Sequence, residues 1–204
     1  MNYYKILNEE ETHRGIRYHT GLNEDPVPFN PSGDCKPGGI YFAREDILAF
    51  IEYGTWIRKV TLPKDEPVYE NPGEPKKWKA HRVILGERRK ITIKVIQELL
   101  DEGANPKADD SEALRRAAGN GHLEVVKLLL PVSDPKARDS EALRWAAENG
   151  HLEIVKLLLP VSDPKANDGL ALRLAARNGH LEIVKLLKEY AAKTGGKKRG
   201  VTNE

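Results

Sequence analysis

Three histidines, His122, His151 and His180, stand 29 residues apart, each inside the same phrase, NGHLE. Imidazole is the commonest protein ligand for transition metals, so a shared ion is the first chemistry to test. One histidine per repeating unit would set neighbours about 10 Å apart, the spacing of packed helices. A zinc–nitrogen bond is only about 2 Å long. The three cannot meet on one ion, no metal or other cofactor is expected, and the position just before a predicted helix gives each ring a structural role.

The residues that break the repetition carry a different chemistry. At equivalent positions of successive units stand Arg116, Trp145 and Leu174, then Gly119, Glu148 and Arg177, and at the connectors Asp109, Arg138 and Asn167. Beside them runs a row of Arg115, Arg144 and Arg173. On a helix, residues three apart share a face, so these positions form ladders along one side of the array. Trp and Arg dominate protein-binding hot spots, which makes this stripe a candidate partner-binding face. The structural alternative is that Trp145 fills the groove between units while the arginines bond neighbouring carbonyls. The chain contains no P-loop, no dinucleotide-type glycine pattern opening a helix and no nucleophile elbow, so no catalytic residue is assigned.

These ladders need elements to hold them. Residues 91–190 are built of Leu, Ala, Val, Ile and charged residues with a 29-residue period, the mark of a stacked solenoid. It divides into a partial unit at 91–110, units at 111–139 and 140–168, and a C-terminal cap at 169–190, where LLKEYAAK brings charge to the outer face. In each unit the first helix carries a stripe such as Leu143, Ala146 and Ala147, with Ser140 as the expected N-cap and Gly150 at the end. The second helix is apolar nearly all round (Leu152, Ile154, Val155, Leu157, Leu158, Leu159) until Pro160 stops it.

EALRWAAENGHLEIVKLLL resembles the ankyrin repeat, with EALRxAA in place of TPLHxAA. The resemblance implies a helical solenoid that binds proteins. Each unit is about four residues shorter than the usual 33, and the loss falls in the connector. The projecting hairpin fingers should be stunted and recognition should rest on the helices.

Residues 1–90 have no repeat and are richer in aromatics and prolines. Segments 3–7, 16–20, 39–43, 55–62 and 79–85 read as strands, 44–54 as a helix ended by Gly54, and 21–39 as a long loop. The expected fold class is a small α+β domain, also the N-terminal cap, followed by an all-α solenoid of three to four short repeats. The run from GLNEDPVPFNPSGD to WIRKVTLP, joined to such repeats, resembles the N-terminal region of ankyrin proteins of mimivirus-type giant viruses. The order YHTG, GGIYFA, helix, WIRKVTL is also similar to that of ADP-ribosyltransferases of the His-Tyr-Glu class, which implies His19 and Tyr41 as an NAD-like site. Lys76 and Lys77 stand about where the glutamate belongs, and a cation there opposes the positive charge that develops on the ribose. Such a module would be inactive. Otherwise Tyr41, Phe42, Phe50, Tyr53 and Trp56 are core and His19 is an ordinary polar residue near a strand end. Cys35 lies in the loop with no activating motif beside it.

A net charge of +2 over 204 residues gives no general attraction to nucleic acid or membranes. The single cysteine excludes an internal disulfide and fits a reducing compartment. A polar N-terminus and the lack of a long apolar run indicate neither signal peptide nor membrane span. The expectation is a monomeric, non-enzymatic interaction protein of the cytoplasm (the host's, if viral) or nucleus, binding an unidentified partner protein, with residues 191–204 a flexible basic tail.

Overall fold

The computed structural model describes residues 1–31 and 36–195. Cys35 and the basic run at 197–199 lie outside the described residues. The chain divides into two compact units, Met1–Ala113 and Leu114–Glu204.

The first unit is built on an antiparallel sheet. Strands β1 (Tyr3–Leu7), β4 (Gly21–Glu24), β6 (Trp56–Thr61) and β9 (Arg82–Leu85) lie in the order β1-β6-β9-β4, and β10 (Arg89–Lys90) also pairs with β6. A second sheet has the order β5 (Ile40–Phe42), β8 (Lys77–Ala80), β7 (Val68–Asn71), and β2 (Thr12–His13) with β3 (Ile16–Arg17) forms a separate hairpin. Tyr4 and Ala43 exchange backbone hydrogen bonds of 2.8 and 2.9 Å, which ties the two sheets together. Alternation along the strands turns Leu7, Phe42, Val60, Val83 and Leu85 into one core, with Tyr3 edge-on to Phe42 at 5.1 Å and to Trp78 at 5.5 Å.

Buried charge holds the hairpin in place. Arg58 Nε and Nη2 donate to the two oxygens of Glu11 at 2.7 and 3.0 Å, and its Nη1 donates to Thr20 Oγ1 and to the Gly86 carbonyl. Such a paired fork is the form in which buried charge is tolerated.

The structure adds β2, β4, β7 and β10 to the strands expected from sequence, divides the expected strand 79–85 between β8 and β9, and makes 45–53 (Glu45–Tyr53) a 3-10 helix. Gly54, which follows it, is extended rather than left-handed; a Cβ there would meet the Leu7 carbonyl oxygen at 2.2 Å, so only glycine lets the chain pass. Tyr53 is 61% exposed and is not core.

Helix α1 (Ile93–Asp101) belongs to the same compact unit. Thr92 caps it by accepting from Val95 N, and Glu102 accepts from Tyr4 Oη at 2.9 and 3.0 Å. Asn105 N donates to the Glu45 carbonyl at 2.7 Å and its side chain to Asp46 Oδ1 at 3.2 Å. The turn after α1 is thereby stapled to the sheet region.

The remaining helices are α2 (Ala108–Gly119), which runs across the division between units, α3 (Leu123–Leu129), α4 (Ala137–Glu148), α5 (Leu152–Leu158), α6 (Ala166–Arg177) and α7 (Leu181–Gly195). In the second unit α4 packs on α5 and α6, and α6 on α7. Leu143, Ala146 and Ala147 are buried, as are Val155 and Leu158. Helix α7 runs on to Gly195, so 191–195 are helical.

One expectation is overturned at the helix starts. Arg138, Asp139 and Ser140 all take left-handed φ, at 48°, 57° and 57°, and the same turn recurs at Asp109–Ser111 and Asn167–Gly169. Asp, Asn and Gly tolerate this region best, which accounts for the Asp, Asn and Gly of DDS, RDS and NDG at the connectors. Ser140 is therefore not an N-cap; its buried Oγ accepts a hydrogen bond of 2.8 Å from Asp163 N in the following connector.

Candidate functional site

The first helices α4 and α6, with the end of α2, position the ladders. The residues of the arginine row share a type but not an environment. Arg115 is 1% exposed, forms an ion pair with Glu141 of the next unit, and holds its guanidinium 5.9 Å from the Trp145 ring. A side chain with so little surface has nothing to offer a partner directly, which corrects its place in the expected binding row. Arg144 has no acidic counterpart ahead of it, because Leu170 stands where the repeat would put one. It turns back instead, Nη2 donating to the Arg138 carbonyl at 3.2 Å and to Glu141 at 3.3 Å. Arg173 likewise donates to the Asn167 carbonyl at 3.0 Å. Arg144 and Arg173 thus fasten their first helices to their own left-handed turns, and only Arg173 of the row is exposed.

The adjacent row is more open. Arg116, Trp145 and Leu174 are each half-buried. Trp145 leans on the bare backbone of Gly119, where a Cβ would meet its ring at 3.2 Å, so the indole fills the groove between two first helices and leaves part of its surface outside. One turn further, Arg177 pairs with Glu148 across units at 3.1 Å, with Arg177 largely exposed. At the connectors Arg138 and Asn167 have exposed side chains, while Asp109 lies in the first unit.

The histidines take part in the stacking itself. His151 Nε2 donates to the Gly119 carbonyl at 2.9 Å, and Asn149 Nδ2 donates to the same oxygen at 2.8 Å. His180 and Asn178 repeat both bonds on the Glu148 carbonyl at 2.9 and 2.7 Å. Since a carbonyl only accepts, each Nε2 carries the proton. The rings also occupy the space over Gly121 and Gly150, where a Cβ would come within 2.6 Å of them. Among the described residues no group of three or more His, Cys, Asp or Glu could hold a metal.

These units of paired helices joined by an Asn-Gly-His turn match the family model described as ankyrin repeats (3 copies) over residues 117–198. Uncharacterized protein R869 of Acanthamoeba polyphaga mimivirus is 35% identical over 133 residues, which cover 63% of this chain and 96% of that protein. Ankyrin repeat protein R229 of the same virus is 42% identical over 118 residues, and R868 is 34% identical over 136. The chain belongs to the ankyrin-repeat proteins. This ankyrin-repeat protein spans 38% of the length of R229 and 66% of R868. Among its described residues no helix is long and apolar enough to cross a membrane.

The two residues of the NAD-like reading do not share a cavity. Tyr41 lines a cleft in the first unit, but His19 does not. His19 is exposed at the turn into β4, its Nδ1 bonded to the Thr20 carbonyl and its amide to Asn23 Oδ1. Lys77 Nζ lies 5.8 Å from the Tyr41 ring. Sequence reasoning missed Glu141, the partner of Arg115; its signal was the repeated Glu of SEALR at 112 and 141, lost at Leu170. It also did not single out Lys5, which stands in the expected strand 3–7.

Proposed function

We propose that this ankyrin-repeat protein is a non-enzymatic scaffold that binds a partner protein through the first-helix face of its repeats. The observation that supports the reading is the half-buried Trp145, rigidly seated against Gly119 with part of its ring outside, one turn from the Glu148–Arg177 pair. A fixed aromatic beside charged margins costs little ordering on binding and is the usual composition of a hot spot. Arg116, Leu174, Arg173, Arg138 and Asn167 supply the surround, while Arg115, Arg144 and Gly119 hold it in shape. The ADP-ribosyltransferase-like reading has less support, since His19 lies outside the cleft that Tyr41 lines. Affinity capture from a host-cell lysate with the full chain and with its Trp145→Ala, Arg116→Glu form tests the proposal: a protein captured by the first and lost from the second is expected, and identical capture sets contradict it.

A further inference from the structure

The first unit contains a cleft of about 470 Å³, within the range of small-molecule sites. Its walls come from β1, the β2–β3 hairpin, β5, the 3-10 helix, Pro75 with the start of β8, and the start of α2. The greater part is apolar, with Ile47, Phe50 and Tyr53 among the lining residues.

Basic groups gather around Tyr41. The Arg14 guanidinium and Lys77 Nζ each lie 5.8 Å from its ring centre, and Lys79 Nζ lies 5.3 Å from it. Lys5, only 5% exposed, donates to the Tyr41 carbonyl at 2.8 Å and also lines the cleft, as does His13. The cations press on one another. Burial, followed by the Arg14 charge, brings the Lys5 ammonium down to about 7, and desolvation, then Lys5 and Arg14, lowers His13. A compact anion placed among them would relieve that repulsion.

Acidic charge lines the cleft as well, in Asp109 and Glu112. Asp109 belongs to a group with Asp46 and Glu74, whose carboxyl is pushed up chiefly by Asp46 and in part by Asp109. Asp46 in turn accepts from Lys76 N at 2.7 Å and from Asn105. An occupant suited to both groups is anionic at one end, flat and apolar in its body, and carries N–H donors for the carboxylates.

We propose that this cleft binds a nucleoside monophosphate, with the phosphate among Arg14, Lys77 and Lys5 beside Tyr41 and an amino-bearing base along Phe50 and Tyr53 toward Asp109. The backbone arrangement is prepared for it, because the Glu11–Arg58 fork fixes the hairpin that carries Arg14. No chemistry on the ligand follows from the site.

The test is a titration of the full chain with AMP, followed by protein-observed NMR at Tyr41, Phe50 and Arg14. Adenosine serves as the ring without the anion, inorganic phosphate as the anion without the ring, and benzoate as a ring anion without N–H donors. AMP should bind at or below about 1 mM, with each of the other three at least about tenfold weaker. Arg14→Asn keeps the left-handed backbone of position 14, where φ is 52°, and should weaken AMP about tenfold while leaving adenosine unchanged. Lys77→Gln should do the same, and an unchanged melting temperature shows that either variant is folded. Benzoate binding as tightly as AMP, adenosine doing so, or AMP insensitive to both substitutions would each overturn the proposal, as would AMP producing no shifts at these residues.

Discussion

Trp145 rests on Gly119 so closely that a single added methyl group would meet the indole at 3.2 Å. The contact joins a residue type that recognises partners to the one residue that leaves room for it. Gly119→Ala should be nearly neutral in stability, because gained helix propensity of about 1 kcal/mol offsets a small displacement of the ring. Gly119→Leu should overpack the groove, cost about 1–3 kcal/mol and shift tryptophan emission to the red. Chemical denaturation and emission spectra of the two variants check this.

Arg115 and Glu141 form a pair in which the arginine is almost wholly enclosed. Arg115→Ala should cost about 3 kcal/mol, since it leaves a carboxylate poorly compensated beside a new cavity. Adding Glu141→Leu, with Arg115→Met, should recover most of the loss. The third unit already carries leucine at the matching position, Leu170. A double-mutant cycle by urea denaturation measures the coupling.

The left-handed turns predict their own sensitivity. Ser140→Ala keeps the backbone but removes the acceptor for Asp163 N, and should cost about 1 kcal/mol. Ser140→Val should cost more, because a β-branched side chain fits poorly at a φ of 57°. Thermal unfolding of both variants, with Asp163 amide exchange, separates the two effects.

Lys5 makes stability depend on pH. Its folded value of about 7 lies below its ordinary 10.5, so between these limits the unfolded chain holds a proton that the folded chain has released. Stability should therefore rise with pH through this window, by at most about 1.4 kcal/mol per pH unit, and the full penalty stands below pH 7. Above pH 10 the raised Tyr18 hydroxyl acts in the opposite direction, since the unfolded chain ionises first. Unfolding curves between pH 7 and 9 should show the rise in the native chain and a flat response in Lys5→Met.

Much of the array is legible in the sequence because each unit repeats its own periodicity: the buried Leu143, Ala146 and Ala147 stripe follows from spacing alone. The strand Gly21–Glu24 is not, since GLNE lacks apolar alternation and is held by pairing with Arg82–Leu85, far along the chain. Ser140 stands where a serine ordinarily caps a helix, and only the three-residue left-handed turn redirects its hydroxyl. Equal spacing made Arg115, Arg144 and Arg173 look like one row; Arg115 is drawn inward by Glu141 of the next unit, whereas Leu170 offers Arg144 no such partner. The cleft around Tyr41 has no sequence signature, because Lys5, Arg14 and Lys77 come together only through the meeting of two sheets and a hairpin.

The most direct measurement compares two charge-reversed forms of the full chain in quantitative affinity capture from a host-cell lysate. One carries Arg116→Glu and Arg177→Glu on the first helices; the other carries Lys127→Glu and Lys156→Glu on the second helices, where the lysines pair with their own Glu124 and Glu153. Loss of the captured partner from the first form and its retention by the second is expected. Retention by the first, or loss from the second alone, contradicts a first-helix binding face.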